Sequence, residues 1–569
     1  MPSSPAFPAY PRQPLMGCSA LTRPALQLPA LAALAALLLA APAWAQTAPS
    51  AGQLLDEVRR SNTPALPMAP PPRLIEAPVR PTINLPEGAS VAVSSFRIVG
   101  AVSFPAEELA ALVAPWAGKR LDIAGLNEAA GAITRRYQSA GHLLSYAYLP
   151  AQRVADGVIE LAVLEGRIEG VQVVTAQDAR LRDEVVQAHT ERLTAPGPVR
   201  QADVERQLLL LNDIPGVTAR AAFTPGASTG AADVVVSVAE DEPLEVRADV
   251  SNHGTRATGT YRAGLSLQFR DLFGWGDTST ARALVSERGS LISGSLNTSV
   301  PVGGDGYKIG ASLSRLKYQL SGRFRDVGAV GSADVIGVDA SYPFLRSAEA
   351  SIAVKASIEH RRLSDAKLEE PIPARLKTND VFELSSSFDV RDSLGGASAG
   401  SVTASMGHLD QDVGAAGWRK VGALAARQQA LFGPWSLYGR VAAQYTGSNL
   451  DSSEKFGLAG PGAVRAYASG ETSVDLGALG SLELRHAQDL LGGSVVLSAF
   501  HDLAYGRIDR STQNVAGNRV RLSGSGLGLA WYGGGLGLNA SLAWPGKLKP
   551  TVDPGVGQPR LFLQLSLTP

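Results

Sequence analysis

The chain changes its hydrophobic rhythm three times. Leu28-Pro-Ala-Leu-Ala-Ala-Leu-Ala-Ala-Leu-Leu-Leu39 is one apolar run, preceded by Arg12 and Arg23 and followed by Ala43-Trp44-Ala45. A basic start, an apolar centre of this length and an A-x-A site predict a secretory signal over residues 1–45, with a mature chain from Gln46. The run is shorter than the ~18–20 apolar residues of a membrane helix. Leu15-Met16-Gly17-Cys18 loosely matches a lipobox, but it precedes the apolar run instead of following it, which argues against lipidation.

The second rhythm is helical, with short strands between. In residues 50–61, Leu54, Leu55 and Val58 form one stripe behind a candidate cap, Ser50. So short a helix is unstable alone in water and must dock. From Pro64 to Pro86 there are eight prolines, which predicts an extended, semi-rigid linker over 63–90. Two units with the same order of elements follow. The first reads as a strand over Val91–Val99, a helix over Pro105–Val113 with proline in its first turn, and a second helix capped by Asp122. On that helix Leu126, Ala129, Ile133 and Tyr137 share a face, and Gly141 ends it. Strands over Leu143–Leu149 and Val158–Leu164 complete the unit. The second reads as a strand at Gly170–Val174, helices at Ala179–Ala188 and Gln201–Leu211, and strands at Val217–Phe223 and Asp233–Val238. Strand–helix–helix–strand–strand twice over is an internal duplication, placed at 91–166 and 167–241.

After Asp241 the period falls to 2. Tyr261, Ala263, Leu265, Leu267 and Phe269 alternate with Arg262, Gly264, Ser266, Gln268 and Arg270. Leu536 to Trp544 and Leu561 to Leu567 repeat the alternation. A soluble sandwich would bury the apolar face against a second sheet, whereas a membrane barrel turns it to lipid and keeps a polar lumen. Residues 242–569 hold about 16 candidate strands at roughly 20 residues per strand and connection, the spacing of a barrel with long outer loops. With the export signal, this favours a membrane barrel.

Composition now fits. The 60 Gly suit hairpins and lumen-facing positions, and a mean hydropathy of +0.04 is the average of apolar and polar strand faces. The net charge of zero argues against nucleic-acid binding. The single cysteine, Cys18, lies in the predicted signal and excludes a disulfide framework and Cys-rich metal sites. Gly226-Ala-Ser228-Thr-Gly230 and Gly396-Ala-Ser398-Ala-Gly400 match G-x-S-x-G but lack the strand–turn–helix frame of a nucleophile elbow. No H-x-x-x-H pair exists, and no Gly-Lys-Ser/Thr follows Gly457-Leu-Ala-Gly460-Pro-Gly462. The sequence therefore offers no catalytic residues, metal site or cofactor.

The informative stretches are Lys455 to Glu471, containing Val464-Arg465-Ala466-Tyr467, and Phe500-His501-Asp502-Leu503-Ala504. Alternation puts Val495, Leu497, Ala499 and Leu503 on the lipid face, and Phe500, Asp502 and Ala504 in the lumen. A lumen carboxylate beside an aromatic ring suits a guanidinium that pairs with the acid and stacks on the ring. Arg465, on a Gly-rich loop, is the candidate donor; its bland reading is a surface arginine.

These motifs resemble the outer-membrane transporters of two-partner secretion, a branch of the Omp85 superfamily. Val464 to Tyr467 match the family's V-R-G-Y/F loop motif, and Phe500, Asp502 and Ala504 match its F-x-D-x-G strand motif. Leu208-Leu-Leu-Leu-Asn212-Asp-Ile-Pro215-Gly216 matches the second of its POTRA domains. Both motif glycines are Ala here, and the chain ends Leu567-Thr-Pro569 where many such barrels end on an aromatic. The resemblance implies a plug helix over 46–62, α+β periplasmic POTRA domains at 91–166 and 167–241, and an all-β outer-membrane barrel of about 16 antiparallel strands. It implies that the POTRA pair captures a secreted exoprotein by its N-terminal secretion domain, as in haemolysin or haemagglutinin secretion, and that the barrel passes it outward. Leu54, Leu55 and Val58 would seat the plug. Outer-membrane lipid and the barrel-assembly machinery would be the other partners. A barrel-assembly factor of the same superfamily and a passive porin are the alternatives.

Overall fold

The structure, a computed structural model, describes residues 49–60, 75, 90–367, 375–411, 414–511, 517–551 and 559–569, apart from 177, 178, 195, 229 and 549. The predicted signal over 1–45 and, except for Ile75 and Ser90, the linker over 63–90 lie outside the described residues. The first described element is a helix, α1, over Ala51–Arg60.

The region at 91–166 opens with β1 (Ser90–Ala92) and β2 (Ser95–Val99), then α2 (Ala106–Val113), β3 (Arg120–Asp122), α3 (Ile123–Ser139), β4 (Tyr146–Tyr148) and β5 (Val158–Leu164). Val91–Val99 is thus two strands, not one. At the break the Val93 N–H donates to the Lys119 carbonyl and the Ser94 N–H to that of Gly157, so the backbone changes partners. Pro105 stands one residue earlier than expected, at the N-cap of α2. The Asp122 carboxylate caps α3 by accepting from the Gly125 N–H at 2.9 Å. Leu109, Ile133, Tyr137 and Leu161 fill the core. Burial opposes ionisation of Glu165. Four donors outweigh it: the N–H groups of Val102 and Ser103, and the hydroxyls of Ser103 and Tyr137, all at 2.7–2.8 Å. They hold its carboxyl below the usual glutamate range.

The region at 167–241 repeats the plan with β6 (Arg167–Thr175), α4 (Asp183–Thr190), α5 (Gln201–Asn212), β7 (Val217–Pro225) and β8 (Ala231–Glu240). The two sheets share one topology, β2-β5-β4 and β6-β8-β7, each with a parallel and an antiparallel pair. The first helix starts at Asp183 instead of Ala179. The N–H groups of Arg180 and Leu181 are engaged by the Glu240 carboxylate, and that of Arg182 by the Gly274 carbonyl.

The barrel begins with β9 (Leu244–Ser251), β10 (Arg262–Arg270), β11 (Thr278–Ser286), β12 (Leu291–Val302), β13 (Tyr307–Gln319), β14 (Ala329–Arg346) and β15 (Ala350–Lys367). It continues with β16 (Arg375–Arg391), β17 (Gly396–Gln411), β18 (Gly414–Ala430) and β19 (Trp435–Thr446). After two loop strands, β20 (Phe456–Gly457) and β21 (Ser473–Val474), come β22 (Leu476–Leu490), β23 (Gly493–Arg507), β24 (Arg519–Gly533), β25 (Leu536–Pro545) and β26 (Arg560–Leu567). Among the described residues β9–β19 and β22–β26 form one closed antiparallel barrel of 16 strands, shut by β26 pairing with β9 from Gln564–Ser251 to Leu567–Ala248. Closure leaves no sheet edge, which a bilayer requires. Ile309, Leu313, Ile336, Val338 and Ile358 point out and are exposed, whereas Leu316, Tyr318, Val335 and Leu363 point in and are buried. On β23, Leu497 and Leu503 are exposed on the outer face, but Val495 is buried opposite Trp531.

The second POTRA-like region is docked on the short turns of the barrel. Arg346 and Asp213 form a two-pronged pair at 2.8 Å, the Arg206 guanidinium donates to the Pro343 carbonyl, and Arg182 stacks over Trp275 at 4.3 Å.

Candidate functional site in the barrel lumen

The connection between β19 and β22, residues 447–475, folds back into the barrel. Val464, Ala466 and Tyr467 are buried there against Leu479 on β22, Phe500 and Ala504 on β23, Val520 and Leu522 on β24 and Ala543 on β25. The Tyr467 hydroxyl donates to the Leu548 carbonyl at 2.8 Å. Asp502 is 1% exposed. Arg465 grips it with Nε at 2.9 Å, Nη2 at 2.7 Å and its own N–H at 3.1 Å. The Ser481 hydroxyl donates to the same carboxylate at 2.7 Å and accepts from Arg465 Nη2 at 2.9 Å. Arg465 Nη1 pairs with Glu483 at 2.7 Å, and the guanidinium lies 3.4 Å from the centre of the Phe500 ring. Register explains the convergence: Ser481 stands opposite Asp502 and Glu483 opposite Phe500. The site thus brings together Arg465, Phe500 and Asp502, adding Ser481 and Glu483, which the motifs do not contain.

The Ala residues at the motif glycine positions are accommodated. A Cβ on Gly524 of β24 would lie 2.6 Å from the Ala466 Cβ, so the bare wall at Gly524 leaves room for the loop's methyl. Ala504 is buried in the same hydrophobic cluster as Ala466.

Helix α1 also lies in the lumen. Ala51, Leu54, Leu55 and Val58 are buried against the inward residues Leu316, Tyr318, Ala333, Val335 and Leu363 of β13–β15. Burying each Leu or Val stabilises by about 1.5–3 kcal/mol, which supplies the docking that so short a helix needs. Ser50 and Gln53 make a reciprocal capping box, and the Asp365 carboxylate accepts from the Ala51 N–H at 2.9 Å. Glu57 pairs with buried Arg262 at 2.8 Å.

The helix and the loop touch. A Cβ on Gly52 would lie 2.4 Å from the Ser453 Cβ, and the Ser50 and Ser452 hydroxyls are 2.8 Å apart. Next in the loop, Glu454 is 1% exposed and accepts from Arg361 Nη1 at 2.7 Å, Asn379 at 2.8 Å and Lys420 Nζ at 2.8 Å. Arg361 also binds Glu359, which pairs with Arg59 of α1 at 3.1 Å. One chain of ion pairs therefore runs from helix to loop. Sequence reasoning missed this second station because Glu454 sits in no motif and its partners come from β15, β16 and β18. The one available signal was a pair of acidic residues, Asp451 and Glu454, at the start of a Ser- and Gly-rich loop.

A closed 16-strand barrel preceded by two small α+β units, with an arginine loop and a helix inside it, defines a POTRA-bearing outer-membrane transporter. The family profile described as haemolysin secretion/activation protein ShlB/FhaC/HecB matches residues 230–531, and the ShlB-type POTRA profile matches residues 91–166. The chain belongs to the ShlB/FhaC/HecB family. It is 24% identical over 455 residues to the heme/hemopexin transporter protein HuxB of Haemophilus influenzae, covering 77% of this chain and 80% of that one. Its fold matches that of CdiB from Escherichia coli with a TM-score of 0.67 at 20% identity, over 91% of this chain and 96% of that one. BamA from Haemophilus ducreyi lacking POTRA domains 1–3 matches with a TM-score of 0.51 at 15% identity, over 84% of this chain and 100% of that one. The protein is an outer-membrane pore of two-partner secretion, with periplasmic POTRA domains and a secreted exoprotein as partner. Its family is one of secretion pores, not of enzymes.

Proposed function

We propose that the pore rests closed, with α1 as its plug and the Arg465–Asp502 pair holding the loop that keeps it competent. The two POTRA domains, at 91–166 and 167–241, take the client's N-terminal secretion domain by β-augmentation, in which backbone bonds bind and side-chain pockets select. The client then displaces α1, crosses the barrel over 242–569 and folds outside. Folding of the client supplies the driving force. Outer-membrane lipid surrounds the apolar band, and the barrel-assembly machinery inserts the chain.

The observation that carries this reading is the buried contact of α1 and the loop with the inner wall and with each other. Arg465→Ala is the test. Client export should be lost or sharply reduced while heat-modifiable barrel remains in outer-membrane fractions. Full export by that variant would refute the role of the pair.

A further inference from the structure

At the outer end of β23 and β24 three arginines share one face. Arg507 stands opposite Arg519, and Tyr505 opposite Arg521. All four have the parity of Leu497, Leu503, Leu527 and Leu529, which are exposed toward lipid. Val520 and Leu522, which alternate with the arginines, are buried in the lumen cluster instead. Arg519 and Arg521 are exposed, and Arg507 is half-buried. Directly opposed side chains lie ~4.5–5.5 Å apart at Cβ, and like charges so placed repel. Among the described residues none of the three guanidinium groups has an ion-pair partner. The connecting stretch 508–518 holds one acid, Asp509, and it pairs with Lys455 at 2.8 Å.

Height identifies the missing anion. From Val495 to Tyr505 the outer face of β23 is apolar except for His501, which is bonded to Ser525 at 2.8 Å. At ~3.4 Å per residue and a tilt of ~40°, that stretch climbs about 26 Å, which matches the ~25 Å apolar band of such barrels. Arg507 and Arg519 are the next rung, at the level of the outer-leaflet headgroups. On the opposite side of the barrel the rung above the last exposed apolar residues is neutralised within the protein. Arg315 pairs with Asp334 at 3.3 Å above Leu313 and Ile336, and His360 with Asp380 at 2.6 Å above Ile358 and Phe382. The β23–β24 rung lacks that compensation.

We propose that Arg507, Arg519 and Arg521 form a binding site for a phosphomonoester headgroup on a glycolipid of the outer leaflet. Each planar guanidinium can grip two phosphate oxygens at once. Tyr505 sits where aromatic girdles meet the interface, and the acyl chains run down over Leu503 and Leu527. The site differs from general lipid contact in having a fixed place and a required phosphate. Bound lipid relieves the repulsion between the opposed arginines and ties together the ends of two strands. The Asp475 N–H, at the end of the lumen loop, donates to the Arg507 carbonyl at 2.9 Å, so the same strand end carries that loop.

The test uses the full mature protein in a zwitterionic detergent, with diphosphorylated lipid A as probe and native mass spectrometry as readout. Arg507→Gln combined with Arg519→Gln should bind the probe about tenfold more weakly, while Arg315→Gln should bind it like wild type. Lipid A stripped of its phosphates should bind wild type and the double variant alike. Arg519→Glu separates lost binding from a folding defect. It exchanges a like pair for an opposite one, so it should raise the melting temperature of the lipid-free barrel and still lose the probe. Equal retention of the probe by wild type, the double variant and Arg519→Glu would overturn the proposal. So would displacement of the probe by inorganic phosphate alone, which would reduce the site to a simple anion cradle.

Discussion

At Asp502 four hydrogen bonds and a stacked guanidinium converge on a carboxylate hidden from water. Removing one partner of such a pair costs about 3–5 kcal/mol, mostly because the other charge stays buried. Arg465→Ala should therefore loosen the loop locally, read as faster hydrogen exchange across residues 456–470 with strand protection intact. Arg465→Lys should be intermediate, since it keeps the charge but lacks the planar fork. The methyl–wall contact makes a sharper prediction. Gly524→Ala should clash with Ala466 and cost about 1–3 kcal/mol by overpacking, and adding Ala466→Gly should restore most of the loss. Absence of rescue in a melting experiment would show that the two positions do not share that space. The Arg465 and Asp502 positions were legible from motif and strand parity together. Ser481 and Glu483 were not, because only the register of β22 against β23 brings them there.

Helix α1 is held by four apolar side chains and by ion pairs that continue through Glu359 and Arg361 to Glu454. Glu454→Gln would leave Arg361 and Lys420 facing a neutral amide in a buried place. It should weaken both the loop station and the seat of the helix, raising channel conductance in planar bilayers. Deleting residues 50–61 should raise it further, and equal conductance for deletion and wild type would argue against a plug. Outside the barrel, Glu165 ties the α2 approach to α3, and its carboxyl is held low by its donors. Its contribution is full above the ordinary unfolded value of about 4.3 and is lost as pH falls through the lower folded value. Glu165→Gln should flatten the acid-induced rise in amide exchange of this domain; an unchanged acid profile would remove Glu165 as its cause. The helical elements were easy to read from their 3.6 period. Val91–Val99 misled although its apolar parity shifts from Val91 and Val93 to Phe96 and Ile98 across Ser94-Ser95, where the backbone changes partner. The second region's first helix was set too early because Arg180 and Leu181 bond to Glu240, far along the chain.

On the scale of the molecule, the alternation of strand faces made the barrel readable, since outward apolar and inward polar residues are what lipid and lumen demand. What fills the lumen was only partly readable. The stripe of Leu54, Leu55 and Val58 announced a docked helix but not its wall, which is assembled from strands hundreds of residues away. As a two-partner secretion pore, this assembly exports a secreted protein. The direct measurement is cell-surface appearance of a cognate large exoprotein, co-expressed with this chain in a host lacking its own transporter. The exoprotein should reach the surface only with the chain present and only with its own N-terminal domain intact. Contradiction would be export that needs neither, or loss of general outer-membrane protein assembly, with no effect on the exoprotein, when the chain is removed from its native cell.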